Sequence, residues 1–191
     1  MKPRTLSHVV LSTYQIDVMM PWYATFLDAR VVIDSPVFKA ISFDDEHHRV
    51  AFTKLPEDKK TDRSRPGLVH VAFTYPGIHA LLRHYERMRD LGHKPIVATD
   101  HGLTVSLYYR DPDGGNVECF VDRFTSEAAD EFAQTELFRK SAAGMDIDCE
   151  DLLARMEGGA SEEALMALDE EKLAAVDLQE TVKRHSRAMF Q

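Results

Sequence analysis

The sequence predicts an α+β fold built from two βαβββ repeats with a helical tail behind them. Three observations point there. The order strand, helix, strand, strand, strand occurs twice between about residues 5 and 123. The two passes open on similar strands, LSHVVLST (6–13) and GLVHVAFT (67–74), in which His8 aligns with His70. From about residue 125 onward the pattern changes to charged, helix-forming segments. A repeated supersecondary unit fixes an architecture more firmly than any single strand assignment. The expected layout is therefore one domain over residues 1–124, with repeats at about 5–55 and 67–123, and a helical C-terminal extension over 125–191.

In the first pass, LSHVVLST alternates and is rich in β-branched residues, which reads as a strand. IDVMMPWYATFLDA follows, with Met19, Trp22, Tyr23, Phe26 and Leu27 at helical spacing. Asp17 is a candidate cap, and Pro21 lies near enough to the start to be tolerated. Trp22 and Phe26 read as core. ARVVID, FKAISFD and HRVAFTKL supply three short strands. PEDKKTDRSRPG (56–67) is polar throughout and reads as a loop or linker. In the second pass, GLVHVAFTY is a strand and GIHALLRHYERMRDLG a helix. Ile78, Leu81, Leu82, Tyr85, Met88 and Leu91 lie on one side of that helix, with Gly92 as its stop. HKPIVATD, LTVSLYYRD and GNVECFVD complete the repeat. In the tail, Gly158-Gly159 separates helical pieces, and Ser161 followed by Glu162 and Glu163 is a plausible helix start.

Composition narrows the function classes. A 191-residue chain with 44% hydrophobic and 29% charged residues and a mean hydropathy of -0.32 is expected to be a soluble domain with a real core. No apolar run approaches the roughly 20 residues of a membrane helix. The basic start MKPR is not followed by a long apolar stretch, so no signal peptide is expected. A net charge of -9 argues against nucleic acid or anionic membrane as the main partner. The two cysteines, Cys119 and Cys149, form neither a disulfide framework nor a CxxC site, which fits a reduced, cytoplasmic setting. Cys119 reads as core packing. A tail of more than 60 helical residues predicts self-association into a homo-oligomer.

One charge stands out. Glu118 sits in the apolar strand NVECFV, and a lone carboxylate in a buried strand is costly unless something neutralises it. Strand parity puts His70 with Leu68, Ala72 and Thr74, opposite the helix-facing Val69, Val71 and Phe73, and puts His8 with Leu6, Val10 and Ser12. Aligning the repeats sets Ala51 against Glu118. A site on the pseudo-twofold then has four corners, His8, Ala51, His70 and Glu118, of which three carry metal-ligand chemistry and one is blank. Taken singly, each histidine reads as ordinary core; the repeat is what links them. Two imidazoles and a carboxylate with open positions form the facial-triad pattern of non-haem Fe(II) oxygenases. Three ligands on an octahedral ion leave room for a bidentate substrate and dioxygen. In this reading the repeats form a cupped mixed sheet around the metal site.

The duplication resembles the vicinal oxygen chelate superfamily, which includes glyoxalase I, fosfomycin- and bleomycin-resistance proteins and type I extradiol dioxygenases. The resemblance covers about residues 5–123. Within it, TDHGLTVSLYYRDPDGGNVE resembles the extradiol dioxygenase signature. Thr99-x-His101 is followed by five residues, Leu107-Tyr108, two residues, Asp111-Pro112, Gly114 one residue on, then three residues and Glu118. DDEHHRVAF (44–52) resembles a second landmark, a histidine pair before a strand whose second member is the active-site acid/base. The size and the helical tail resemble the one-domain dioxygenases similar to 2,3-dihydroxybiphenyl 1,2-dioxygenase. The resemblance implies Fe(II), or Mn(II), held by His8, His70 and Glu118. His48 becomes the acid/base, with its neighbour His47 and His101 at the substrate, and Tyr108 hydrogen-bonds a catechol oxygen. The implied reaction is extradiol cleavage of a catechol-type diol by dioxygen. The competing readings are a metal-dependent lyase or isomerase of the same superfamily and a non-catalytic binding protein.

Overall fold

Alternating β-branched residues give each repeat its strands, and apolar residues at helical spacing give it one helix. The computed structural model describes residue 2, residues 5–56 and residues 67–190. The polar stretch 56–67 thus lies, apart from its two ends, outside the described residues. The first repeat runs β1 (Val9–Thr13), α1 (Ile16–Phe26), β2 (Arg30–Asp34), β3 (Phe38–Ser42) and β4 (Val50–Lys54). The second runs β5 (His70–Thr74), α2 (Ile78–Asp90), β6 (Val97–Asp100), β7 (Thr104–Arg110) and β8 (Asn116–Asp122). After it come α3 (Ser126–Ala133), α4 (Glu136–Ser141), β9 (Met145–Asp146), α5 (Cys149–Glu157), α6 (Glu162–Leu165), α7 (Glu170–Ala174) and α8 (Leu178–Phe190). The fold is α+β, with two mixed sheets and C-terminal helices. The chain divides into two compact units, Met1–Arg65 with Asp111–Gly115, and Pro66–Arg110 with Asn116–Gln191.

The first unit holds a four-stranded sheet in the order β1-β4-β3-β2. β1 runs parallel to β4, and the other pairings are antiparallel. α1 lies against β3 and β4 and buries Ile16, Met19, Tyr23 and Phe26, each contributing about 1.5–3 kcal/mol. Phe26 is fully buried, as expected, whereas Trp22 is only half-buried and stacks on it from outside with centroids 4.7 Å apart. The expected cap is corrected. Gln15 is the N-cap and makes no side-chain cap bond, while Asp17 sits in the first turn and pairs with Lys39 Nζ at 3.2 Å. The turn Asp111–Gly115 belongs to this unit. Tyr23 Oη donates to Asp111 Oδ2 at 3.0 Å, and Gln15 Nε2 donates to Asp113 Oδ1 at 2.7 Å.

The second unit holds a five-stranded sheet in the order β5-β8-β7-β6-β9. β9 is a two-residue strand paired with β6, too short to carry a readable period. α2 buries Ile78, Leu81, Leu82, Tyr85 and Met88, and Gly92, at φ +86°, follows its end as expected. α5 packs on α2, where Tyr85 Oη and Arg89 Nη1 both donate to the Glu150 carboxylate at 2.8 Å. Ser161 caps α6 by accepting from Ala164 N–H, also as expected. Both cysteines are free and buried. Burial raises the Cys119 thiol well above its usual range and pushes Cys149 up to about 12, so neither is a nucleophile. Among the described residues no helix is long and apolar enough to cross a membrane.

His84, on the buried face of α2, meets Tyr75 Oη at 2.9 Å through Nδ1 and Cys119 Sγ at 3.6 Å through Nε2. Burial, and then the nearby Arg87, push its pKa down to about 3. The unfolded chain takes this proton near pH 6.5 and the folded chain does not until about pH 3. Stability from His84 is therefore complete above pH 6.5 and lost as the pH falls from 6.5 towards 3. Urea unfolding at pH 7.5 and 5.5 should show the unaltered chain losing roughly 1 kcal/mol more than His84→Gln between the two.

Candidate active site

The pairing of β8 with its neighbours builds the centre of the second unit. Glu118 lies opposite Ala72 on β5 and opposite Tyr108 on β7. His70 is two residues before Ala72 and shares its face. Its Nε2 stands 3.0 Å from Glu118 Oε2. Its Nδ1 is buried with no hydrogen-bond partner among the described residues. The Tyr108 ring meets His70 edge-on, with centroids 5.6 Å apart. Ser106, two residues before Tyr108 on the same face, is fully buried, and its hydroxyl lies 3.1 Å from Thr104 Oγ1.

Burial alone would push the Glu118 carboxyl up. The His70 contact first, and then the nearby Ser106 and Tyr108 hydroxyls, outweigh it and hold the group below the ordinary carboxylate range. The same bond to Glu118 raises His70 above the ordinary imidazole value, against its own burial. Tyr108 is raised by burial first and then by the Glu118 charge, so its phenol keeps its proton at neutral pH. The site thus holds one carboxylate, one imidazole with high proton affinity and one protonated phenol.

His101 stands in the β6–β7 loop. Its Nε2 is 3.2 Å from Tyr108 Oη, and its Nδ1 is 3.2 Å from the carbonyl of Ala142, just past α4. A carbonyl only accepts, so Nδ1 carries the proton and Nε2 presents a lone pair to Tyr108. Burial pushes the His101 pKa down, which keeps it neutral. A buried ion pair holds the loop. Arg123 donates to Asp100 Oδ1 at 2.7 Å and to Oδ2 at 2.6 Å, and also to the carbonyls of Gly102 and Met166. Both side chains are nearly inaccessible, at 5% and 6% exposure.

In the first unit, His8 comes one residue before β1 and His48 two residues before β4, so neither belongs to a strand proper. Their rings are 4.3 Å apart. The His47 ring lies tilted against His48 with centroids 4.4 Å apart, but its own side chain is 70% exposed and faces Glu46. Partial burial, then His8 and His47, lower the His48 pKa, so it is a free base at neutral pH. Ala51 is fully buried and pairs with Val10. Since Glu118 pairs with Ala72, the equivalent of Val10, the register makes Ala51 the counterpart of Glu118. That corner offers no donor.

Among the described residues, no three His, Cys, Asp or Glu side chains are gathered into a metal cluster. The expected residues fall as His70, Glu118, Tyr108 and His101 in one unit and as His8, His47 and His48 in the other. The His70–Glu118 pair fits a divalent ion by its donors. Two ligands with bonds of about 2.1 Å meeting near a right angle lie about 3 Å apart. Ser106, the Asp100–Arg123 pair and the Ala142 carbonyl were not anticipated. Ser106 was readable from parity, since it alternates with Tyr108 on β7; the other two depend on chain crossings that no local pattern encodes.

Residues 5–119 match the Glyoxalase/Bleomycin resistance protein/Dioxygenase superfamily. The chain is 40% identical over 142 residues to biphenyl-2,3-diol 1,2-dioxygenase 3 of Rhodococcus globerulus, covering 73% of this chain and 75% of that protein. It is 41% identical over 121 residues to biphenyl-2,3-diol 1,2-dioxygenase 2 of the same organism, covering 63% and 64%. Among solved structures it is similar to a glyoxylase/bleomycin resistance protein/dioxygenase domain from Frankia sp. EAN1pec. The TM-score is 0.54 at 21% identity, over 63% of this chain and 99% of that one. It is also similar to lactoylglutathione lyase from Agrobacterium tumefaciens, with a TM-score of 0.51 at 18% identity over 62% and 94%. At those identities the structural likeness is one of fold.

The loop anchor gives a direct test. Asp100→Ala leaves a buried guanidinium without its counter-charge and should cost about 3–5 kcal/mol in urea unfolding. The double variant Asp100→Leu with Arg123→Met should recover a large part of that loss.

Proposed function

The chain belongs to the Glyoxalase/Bleomycin resistance protein/Dioxygenase superfamily, and from that premise we propose that it is an extradiol ring-cleaving dioxygenase. It inserts both atoms of dioxygen into a catechol-type diol, with 2,3-dihydroxybiphenyl as the reference substrate. The observation that carries this reading is a protonated phenol, Tyr108, set directly across β7–β8 from a carboxylate that converges with an imidazole at 3.0 Å. The donorless corner at Ala51 also supports it, because a fourth ligand would crowd a bidentate substrate.

In this proposal His8, His70 and Glu118 hold Fe(II), for which Mn(II) is a chemical substitute. The bound ion supplies Lewis acidity that lowers the diol pKa and a path for electrons from ring to dioxygen. His70 and Glu118 share a proton that must leave when metal enters, so loading releases it. His48, a free base at neutral pH, accepts a proton from the diol and can return it at ring opening. The close approach of the His48 and His8 rings and the exposure of His47 support His48 as the acid/base, with His47 beside the substrate. Tyr108 holds its proton at Oη, where it can bind a diol oxygen, and His101 Nε2 accepts from that phenol. Residues 125–191 serve as an extension to a domain ending near 124. A homo-oligomeric, cytoplasmic enzyme completes the proposal, supported by two unpaired cysteines and a long helical extension.

Protein loaded anaerobically with Fe(II) should take up dioxygen with a catechol panel that includes 2,3-dihydroxybiphenyl and give a yellow ring-opened product. Glu118→Ala should abolish uptake. Bound metal without uptake on any diol would replace this reading with a lyase or isomerase. His48→Gln should lower kcat by about a hundredfold or more while metal content stays unchanged. An equal loss in His47→Gln would reverse the two roles.

A further inference from the structure

Cross-strand pairing sorts the site face of the second sheet into rows, because residues directly opposite one another point the same way. Arg110, Asn116 and His70 form one row. Tyr108, Glu118 and Ala72 form the next. Asp146, Thr99, Ser106 and Phe120 form the third. α8 is held to this face from both sides of the middle row. On one side Arg110 donates to the carbonyl of Ala188, and Asn116 Nδ2 donates to the carbonyls of Met189 and Val69, each at 3.1 Å. On the other, Arg184 pairs with Asp146 Oδ2, and His185 Nε2 lies 3.6 Å from Asp146 Oδ1. The helix therefore crosses the row of Tyr108 and Glu118.

Three features mark this helix as a movable cover. A diol must touch Tyr108 Oη, yet Tyr108 is only 6% exposed. α8 has thirteen residues and buries only the side chain of Thr181, so it is held mainly by polar contacts at two points. Water replaces helix-end hydrogen bonds and exposed ion pairs with little loss. Finally, His70 Nδ1 and Asn116 Oδ1 on the sheet and His185 Nε2 on the helix are buried with no hydrogen-bond partner among the described residues. Such atoms call for a polar partner, which a polar ligand seated between helix and sheet supplies.

We propose that α8 is the lid of the diol site. It lifts to admit the diol and seats again through Arg110, Asn116 and Asp146. This inference rests on the reading of Tyr108 and Glu118 as that site. A lightly packed helix opens locally, without unfolding the sheet beneath it.

The full-length double variant Asp146→Cys with Arg184→Cys accepts a short bis-methanethiosulfonate cross-linker that ties α8 to β9. Both positions are half-exposed, and both native cysteines are buried. Mass spectrometry verifies the tie. One half of the sample is then reduced with dithiothreitol and desalted, and both halves are loaded anaerobically with Fe(II) and given 2,3-dihydroxybiphenyl and dioxygen. Turnover in the tied form should be at least about tenfold lower than in the reduced form. Equal turnover overturns the inference. Hydrogen exchange of the unaltered chain needs neither variant nor activity. Amides of α8 should exchange at least about a hundredfold faster than those of β8, and equal protection overturns the inference. The parent reading fails separately, when the unaltered chain takes up no dioxygen with any diol, and the lid then has no diol site to cover.

Discussion

The buried pair of Asp100 and Arg123 ties together the parts of the second unit that handle protons. Taking two charges out of water costs several kcal/mol per ion, and the cost is offset only when every donor finds an acceptor. Here the guanidinium makes a two-pronged contact with the carboxylate and also meets the carbonyls of Gly102 and Met166. Asp100 Oδ1 in turn accepts from Gly102 N–H at 2.8 Å. The end of β6, the end of β8, the β6–β7 loop and the close of α6 are thereby locked at one point. His101 lies inside that lock, between Asp100 and Gly102. Its aim at Tyr108 is a consequence of the ion pair.

The charges at Glu118 follow the same logic of satisfied burial. A carboxylate at 8% exposure remains ionised because His70 Nε2 meets it at 3.0 Å and the hydroxyls of Ser106 and Tyr108 add favourable dipoles. The groups around it keep distinct protonation states, with His70 readily charged, Tyr108 neutral and His101 neutral. The cluster holds one carboxylate charge and, on His70, one labile proton.

The repeat was legible because it is a long-range pattern that survives local ambiguity. The βαβββ order, the parity of His70 with Ala72 and the equivalence of Ala51 with Glu118 all rest on period and alignment. Strand ends were less legible. His8 and His48 read as strand residues or their close neighbours, but pairing starts only at Val9 and Val50. Asp17 has the right chemistry for a cap, yet Lys39 on a neighbouring strand claims it. Asp100 and Arg123 are 23 residues apart in sequence and meet only through sheet topology. The Ala142 carbonyl has no side-chain signature at all. A sequence names the groups able to do chemistry more readily than the backbone that aims them.

The close fit of the C-terminal segment around Gly102 bears on how such chains diversify. At φ +79° this glycine turns the loop, and a Cβ there would come within 2.9 Å of Phe132 and 3.0 Å of Leu173. The segment also provides the acceptor for His101 Nδ1. A homologous protein composed of the repeats alone would need another acceptor for that nitrogen, or its imidazole could carry the proton on either side. Chain length and the residue after Asp100 should therefore covary among homologues. Lineages that lose the segment would have to exchange the histidine or recruit a neighbouring subunit to orient it.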